Sequence, residues 1–277
     1  MNYTVNAEGI LITDTSSFNP EHIFECGQVF SYEKKGDEYY SFPGDKLAKI
    51  KQVEKGYFIE TKDIDYFINY FDLDKDYNSV KDRLKKFPIM HDALKFGYGI
   101  RILNQDLFET LISFIISANN NIKRIKLILN NLRRAYGKVV ASRIYAFPSY
   151  QFLKDQDEDF FKRMGAGYRA KYLASVTKQI SPQQLEQLKK LPTKELRNKL
   201  ISLSGVGPKV ADCILLFGYR RDDVFPVDTW IHKCYNSFYT PTDNREKIRN
   251  DLISQFGKLS GYAQQYLFYN QRSSLKA

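Results

Sequence analysis

The sequence predicts an α+β fold, in which a small N-terminal antiparallel β-sheet domain packs on a larger all-helical domain. Up to about residue 62, short strand-like segments alternate with turns that contain glycine. From Ile64 onward, apolar residues recur at helical spacing nearly to the end of the chain. We therefore expect a first domain of sheet and helices over residues 1–98 and a helical domain over 99–277. The three strand-like segments are 39–42, 47–53 and 57–60.

Composition favours a self-sufficient core and a polyanionic partner. The chain has 277 residues, of which 43% are apolar, so it can bury a core without a metal or disulfides. Its formal charge of +10 favours a partner such as nucleic acid, although many basic proteins bind none. Three scattered cysteines fit a reducing compartment. The N-terminus has no targeting pattern and no apolar run approaches a membrane span.

Two helices are predicted around a run of three asparagines. The first is strongly apolar and extends from about Gln105 to Ser117. The asparagines at 119–121 compete for backbone hydrogen bonds, which favours a helix end and a new N-cap before Ile122. The second helix then continues to about Tyr136.

The most informative segment is 203–211, Leu-Ser-Gly-Val-Gly-Pro-Lys-Val-Ala, which lies between two helical stretches. Gly205 and Gly207, followed by Pro208, force a tight turn into a helix N-terminus, as in a helix-hairpin-helix. Backbone N–H groups of Gly205, Val206 and Gly207, reinforced by the helix dipole, can hold a DNA phosphate without reading sequence. The alternative interpretation is an ordinary connection between two helices.

Lys209 and Asp228 are the candidate catalytic pair. Lys209 lies in the first turn of the helix that the hairpin begins, where the helix dipole favours a neutral, nucleophilic amine. Asp228 follows an extended segment that contains proline, at the predicted N-cap of a later helix. Amine and carboxylate could therefore meet in one cleft. The alternatives are a lysine that contacts phosphate and an aspartate that only caps its helix.

These residues, together with further segments, resemble the 8-oxoguanine DNA glycosylases of the helix-hairpin-helix superfamily, in the branch similar to the eukaryotic enzyme. The resemblance covers nearly the whole chain. Several related glycosylases share the hairpin with its lysine and aspartate, whereas the asparagine run, Gly-Tyr-Arg-Ala at 167–170 and Gly-Gln-x-Phe at 27–30 narrow the match. The segments that carry it are 26–30, 99–103, 105–106, 117–122 with Arg124, 165–170, 205–213, 226–228 and 263–268.

The resemblance implies a bifunctional glycosylase and AP lyase that needs no cofactor and no metal. Lys209 would attack the anomeric carbon of a flipped-out nucleotide, expel the damaged base and form a Schiff base that permits strand cleavage by β-elimination. Asp228 would stay ionised and stabilise the sugar cation. The implied partner is double-stranded DNA containing 8-oxoguanine, bound by a monomer. A cytoplasmic, nucleoid-associated location is expected if the chain is prokaryotic.

The resemblance also implies a lesion pocket. The carbonyl of Gly27 would accept the N–H that oxidation creates at N7, where normal guanine presents a lone pair. Cys213 and Phe268 would hold the two faces of the base, and Gln264 would read its Watson–Crick edge. Without the family, Cys213 and Phe268 would be interpreted as core residues and Gln264 as a surface amide.

A further set would serve the gap that base flipping leaves. The resemblance implies that Tyr168 wedges into the stack, while Asn119, Arg124 and Arg169 donate to the orphaned base. Three such donors predict a preference for lesions opposite cytosine, which has two acceptors on that edge. The alternative for Arg124 and Arg169 is simple phosphate binding, because the stretch 119–143 has seven basic residues and no acidic ones.

Two departures from the family pattern are present. Trp230 stands where the pattern usually has a histidine that contacts phosphate, and Ser31-Tyr32 stands in place of Arg-Trp. The chain also lacks the four-cysteine iron-sulfur loop of endonuclease III-like relatives. A glycosylase for another damaged purine, such as a formamidopyrimidine or an alkylated purine, and a non-catalytic hairpin module that binds DNA remain as alternatives.

Overall fold

The N-terminal part is a six-stranded antiparallel sheet, seen in a computed structural model that describes residues 2–274. Its strands are β1 (Tyr3–Asn6), β2 (Gly9–Ile12), β3 (Tyr32–Lys35), β4 (Glu38–Ser41), β5 (Ala48–Val53) and β6 (Gly56–Glu60). They pair in the order β1-β2-β6-β5-β4-β3. The predicted sheet is therefore confirmed, and the three predicted segments are β4, β5 and β6. The prediction missed the other three strands, two of which lie at the edges of the sheet and have at least half of their residues exposed.

One face of the sheet is buried because apolar residues alternate along its central strands. Ile10, Ile50 and Ile59 lie on this face and are fully buried. Helix α1 (Pro20–Glu25) and helix α2 (Ile64–Tyr70) add aromatic rings to the same core. The prediction of helical periodicity from Ile64 onward is confirmed, whereas it missed α1.

The rest of the described chain is mostly helical. The two predicted helices are present as α5 (Leu107–Ser117) and α6 (Ile122–Tyr136), although α5 begins two residues later than expected because Asp106 caps it. Asn121 caps α6, as the asparagine run predicted. The remaining helices are α3 (Tyr77–Leu84), α4 (His91–Phe96), α7 (Tyr150–Leu153), α8 (Glu158–Arg163), α9 (Ala170–Gln179), α10 (Pro182–Leu188), α11 (Thr193–Ile201), α12 (Pro208–Phe217), α13 (Thr229–Phe238), α14 (Arg245–Phe256) and α15 (Ser260–Ser274).

A small hairpin interrupts this helical part. Strands β7 (Val139–Ala141) and β8 (Ile144–Tyr145) pair with each other just after α6. The larger hydrophobic core also takes in side chains of α3 and α4, which pack near α15.

The domain boundary between residues 98 and 99 stays a prediction. No helix among residues 2–274 combines the length and the apolar character needed to cross a bilayer.

Candidate active site

The hairpin joins α11 to α12 through a tight turn. Gly205 has φ +79°, and a Cβ there would lie 2.6 Å from the Cβ of Tyr172, so the turn needs glycine for both backbone and space. Gly207 is the N-cap of α12, and Pro208 is its first residue. The first hydrogen bond of α12 runs from Ala211 N–H to the Gly207 carbonyl, at 2.9 Å. The predicted hairpin geometry is therefore present, with first-turn N–H groups that need an acceptor from outside the helix.

Lys209 lies half-buried in this first turn, against apolar and thiol neighbours. Its Nζ lies 5.6 Å from the centroid of the Phe114 ring. Cys213 follows one turn later and is buried. Burial raises the pKa of the Cys213 thiol to about 11, partly opposed by the charge of Lys209 and a hydrogen bond from it. The amine therefore contacts a thiol that stays protonated at neutral pH.

Asp228 caps α13 as the sequence predicted. One of its carboxylate oxygens accepts the N–H groups of Trp230 at 3.0 Å and Ile231 at 2.9 Å. Burial raises the pKa of Asp228, while these two hydrogen bonds and the charges of Lys209 and Arg245 oppose the rise. The structure thus brings Lys209 and Asp228 within electrostatic range of each other, in a partly buried site.

The predicted pocket residues Gly27, Gln264 and Phe268 lie where α15 meets the turn after α1. Gly27 has φ +81°, and a Cβ there would lie 3.1 Å from the Phe268 ring and 2.9 Å from Nη1 of Arg272. Gln264 is 4% exposed, so the surface interpretation of this amide is wrong. Its Oε1 is buried and has no hydrogen-bond partner within residues 2–274. Gly27 and Phe268 are therefore in close contact.

Asn119, Arg124, Tyr168 and Arg169 also form one cluster. The Arg169 guanidinium donates to the carbonyls of Ala118 at 2.8 Å and Asn119 at 2.6 Å. The Tyr168 hydroxyl donates to Ala118 at 3.2 Å, and its ring lies 4.4 Å from the guanidinium carbon. Tyr168 is 54% exposed, as a wedge would need to be, whereas Arg169 is only 3% exposed. Arg124 is exposed next to this cluster.

The two departures from the family pattern have distinct surroundings. Trp230 is half-buried, with the Nζ of Lys233 at 5.3 Å from the centroid of its ring. Ser31 is buried, donates to the carboxylate of Glu109 and accepts from Nη2 of Arg133 at 2.6 Å. Glu109 and Arg133 form an ion pair, so the serine joins the N-terminal part to α5 and α6.

Several residues at these sites escaped the sequence reasoning. Phe114 lies within the apolar helix that the sequence predicts, and its ring faces the Lys209 amine. Gln265 donates to the Cys26 carbonyl at 2.7 Å, and Arg272 donates to that of Glu25. Gln265 and Arg272 lie on the same helix as Phe268, at a spacing that places all three near one face, and this spacing could have indicated their position in the sequence. Within residues 2–274, no group of three or more His, Cys, Asp or Glu side chains is arranged to hold a metal ion.

This fold and site define a base-excision repair protein of the helix-hairpin-helix superfamily. Residues 112–257 match the family described as HhH-GPD superfamily base excision DNA repair protein. Residues 10–111 match the 8-oxoguanine DNA glycosylase N-terminal domain. The chain therefore belongs to the 8-oxoguanine DNA glycosylase/AP lyase family, and the resemblance seen in the sequence is confirmed.

Related proteins support this family membership, and the share of the chain that aligns differs among them. An N-glycosylase/DNA lyase of Arabidopsis thaliana is 33% identical over 204 residues, which cover 68% of this chain and 56% of that protein. A probable N-glycosylase/DNA lyase of Methanothermobacter thermautotrophicus is 29% identical, with 74% and 72% covered. The 8-oxoguanine glycosylase/lyase of Clostridium acetobutylicum, solved with double-stranded DNA containing cytosine opposite 8-oxoguanine, has a TM-score of 0.93 and 36% identity, with 99% of both chains covered. The chain thus spans just over half of the plant protein.

Proposed function

We propose that this chain excises 8-oxoguanine from duplex DNA and then cleaves the strand, with Lys209 as the nucleophile. The proposal is carried by the electrostatic proximity of Asp228 to Lys209, which lies in the first turn of the helix that follows the hairpin. The Clostridium relative, whose DNA contains this lesion, supports the choice of substrate. Such an activity belongs in the compartment that holds the DNA, which is the cytoplasm and its nucleoid if the chain is prokaryotic.

The reaction begins with attack by the neutral amine of Lys209 on C1′ of the extruded nucleotide. A C1′–N bond forms, the glycosidic bond breaks and the base leaves with its electron pair. Loss of a proton from nitrogen and opening of the sugar give a Schiff base. Removal of a C2′ proton then expels the 3′ phosphate by β-elimination. Asp228, held by two backbone N–H groups, stabilises positive charge on the sugar while the first bond breaks.

The lesion pocket supplies the choice of base in this proposal. The Gly27 carbonyl accepts N7–H of the oxidised purine, and normal guanine would set a lone pair against it, at a cost of about 1–3 kcal/mol. Cys213 and Phe268 hold the two faces of the base. Gln264 reads the Watson–Crick edge, which is supported by its buried Oε1, an acceptor without a partner in the described part of the chain.

The opposite strand is held by the second cluster. Tyr168 fills the gap in the stack, while Asn119, Arg124 and Arg169 favour cytosine as the orphaned base. The N–H groups of Gly205, Val206 and Gly207 bind a phosphate without reading sequence. We propose that a monomer does this work, because both clusters and the hairpin belong to one chain.

Borohydride trapping tests the lysine mechanism. Wild-type protein, Lys209→Gln and Lys199→Gln are incubated with a lesion duplex and sodium borohydride. Covalent protein–DNA adducts are then quantified by denaturing gel electrophoresis. Lys199 is a matched control, since it is an exposed lysine on α11, the helix before the hairpin. We expect adducts with wild type and Lys199→Gln and none with Lys209→Gln. Excision by wild type without any adduct would overturn the Schiff-base route.

A further inference from the structure

Arg272 lies at the predicted lesion pocket and is a member of neither proposed base-contacting cluster. Its side chain is 8% exposed, and its Nη2 donates to the Glu25 carbonyl. Its Nη1 faces Gly27, lying 2.9 Å from where a Cβ on that residue would be. The guanidinium carbon lies 5.3 Å from the centroid of the Phe268 ring. Arg272 is therefore a direct neighbour of two residues assigned to the damaged base.

Arg272 holds donors that nothing in the described chain satisfies. Its Nε and Nη1 are buried and have no hydrogen-bond partner within residues 2–274. Buried polar groups in folded proteins are nearly always paired, and an unpaired donor on a permanent cation is especially unfavourable. An acceptor brought by a ligand would satisfy this deficit. The donors thus favour a ligand with an oxygen acceptor next to Gly27.

The spacing along α15 shows which part of a base these donors would meet. Gln264, Phe268 and Arg272 are four residues apart, so they lie along one face of the helix over about 12 Å. A purine stacked on Phe268 with its Watson–Crick edge towards Gln264 has its opposite edge towards Gly27 and Arg272. That edge carries N7 and C8, which are adjacent in the ring. The donor beside Gly27 therefore lies near the substituent on C8.

We propose that Arg272 donates a hydrogen bond to the exocyclic oxygen on C8 of the extruded base. This inference rests on the proposed excision of 8-oxoguanine. Guanine has only a C–H at that position and cannot accept, so Arg272 would discriminate against it independently of the Gly27 carbonyl. The lesion is then read at two neighbouring atoms: the chain accepts from N7–H and donates to the C8 oxygen.

The test pairs a change in the base with a change in the protein. Single-turnover excision is measured on duplexes that contain 8-oxoguanine or its 8-thioxo analogue, which keeps N7–H but has a sulfur, a weaker acceptor, on C8. The proteins are wild type, Arg272→Met, Arg272→Lys and Gln265→Met. Gln265→Met is the matched control because Gln265 is also an α15 donor to this turn, at Cys26. Intrinsic differences between the two bases cancel when the oxo-to-thioxo rate ratio is compared between proteins.

We expect the oxo-to-thioxo ratio to fall about tenfold in Arg272→Met relative to wild type, and by less in Arg272→Lys, which keeps one charged donor. Gln265→Met should slow both substrates equally and leave the ratio unchanged. A ratio unchanged in both Arg272 variants, or lowered equally by Gln265→Met, would overturn the proposal. Cooperative unfolding is used to check that each variant is folded. If Arg272→Met does not pass this check, the rate ratio of Arg272→Lys alone tests the proposal. Failure of the proposed function would give a different result: wild-type protein would not excise 8-oxoguanine faster than guanine.

Discussion

The guanidinium of Arg169 donates a hydrogen bond to the carbonyl of Asn119, at 2.6 Å, and the backbone of Asn119 is left-handed. Asn119 has φ +47°, in the left-handed region where residues other than glycine are uncommon. The same guanidinium also bonds the carbonyl of Ala118. Two residues predicted to read the orphaned base therefore also support each other, and Arg169 has a structural part besides its proposed contact with DNA.

Arg169→Ala should destabilise the protein by about 2 kcal/mol, since charge-assisted hydrogen bonds from a buried guanidinium to two backbone carbonyls are lost. Urea unfolding followed by circular dichroism measures this. Arg124→Ala is the control, because Arg124 is exposed and its change should stay within about 0.5 kcal/mol. Equal effects of the two changes would contradict the bonding described for Arg169.

Arg169→Ala should also weaken the preference for cytosine opposite the lesion by more than it weakens total binding. Binding is measured with uncleavable lesion duplexes that carry each of the four opposite bases. If affinity falls equally for all four, Arg169 acts as a phosphate contact instead. Folded fraction is checked first, because the same change also lowers stability.

Asp228→Asn should abolish excision and yet leave the melting temperature at pH 7.5 equal to or above that of wild type. Burial raises the pKa of Asp228 in the folded state, so the ionised carboxylate opposes folding above that pKa, and asparagine removes this cost while still capping α13. The gain should vanish at a pH below the unfolded-state pKa. Asp251→Asn should behave oppositely, since Lys247 and Tyr235 lower the pKa of Asp251.

The same raised pKa predicts the acidic limb of the excision rate. As the pH falls, Asp228 takes up its proton at a higher pH than an ordinary aspartate, and the rate should fall there. Single-turnover rates between pH 4 and 8 check this. A limb at or below the ordinary pKa of aspartate would contradict the burial of Asp228.

Gly27→Ala should cost more than its backbone conformation alone explains. Gly36→Ala is a matched control, because Gly36 has φ +59° and none of the described residues comes within 4 Å of an added Cβ, so only a strain of about 1 kcal/mol applies. At Gly27 the added methyl also meets Arg272 and Phe268. We expect a larger loss of stability and much slower excision, measured by urea unfolding and single-turnover assays. Equal losses at both sites would contradict the close contact.

Glu109→Gln should destabilise the protein by about 3–5 kcal/mol, because it leaves Arg133 buried without its carboxylate partner. Glu158→Gln is the control, since Glu158 pairs with Lys162 on the exposed surface of α8, where water screens the pair, and its loss should change stability far less. Denaturant unfolding compares the two. Similar small effects would show that Arg133 finds another acceptor.

Local patterns carried most of what the sequence could predict. The end of α5 at the asparagines, the cap at Asp228 and the hairpin at Gly205 each depend on side chains within a few residues, so they were read correctly. The short hairpin after α6 was missed, because its strands are too brief for a clear alternation. Contacts set by packing, such as Phe114 against Lys209, have no local pattern and could not be predicted.

The roles of individual residues depended on the family resemblance, and they stay predictions. Gly27 illustrates why: the sequence marks a glycine followed by Gln and Phe, but its contact with Phe268 spans most of the chain. Likewise, the burial of Arg169 follows from how α9 packs beside the end of α5, which periodicity alone does not give.

Helix α15 is the last element of the described chain to be synthesised, and it bonds to one of the first. Gln265 contacts a residue 239 positions earlier, and Arg272 one that is 247 positions earlier. Domains generally form in order during translation, and contacts so distant in sequence are slow to close. The proposed lesion pocket is therefore completed only after translation of α15, so a ribosome-bound chain that still lacks this helix also lacks Gln264, Phe268 and Arg272 and, on the proposed function, the means to select a damaged base.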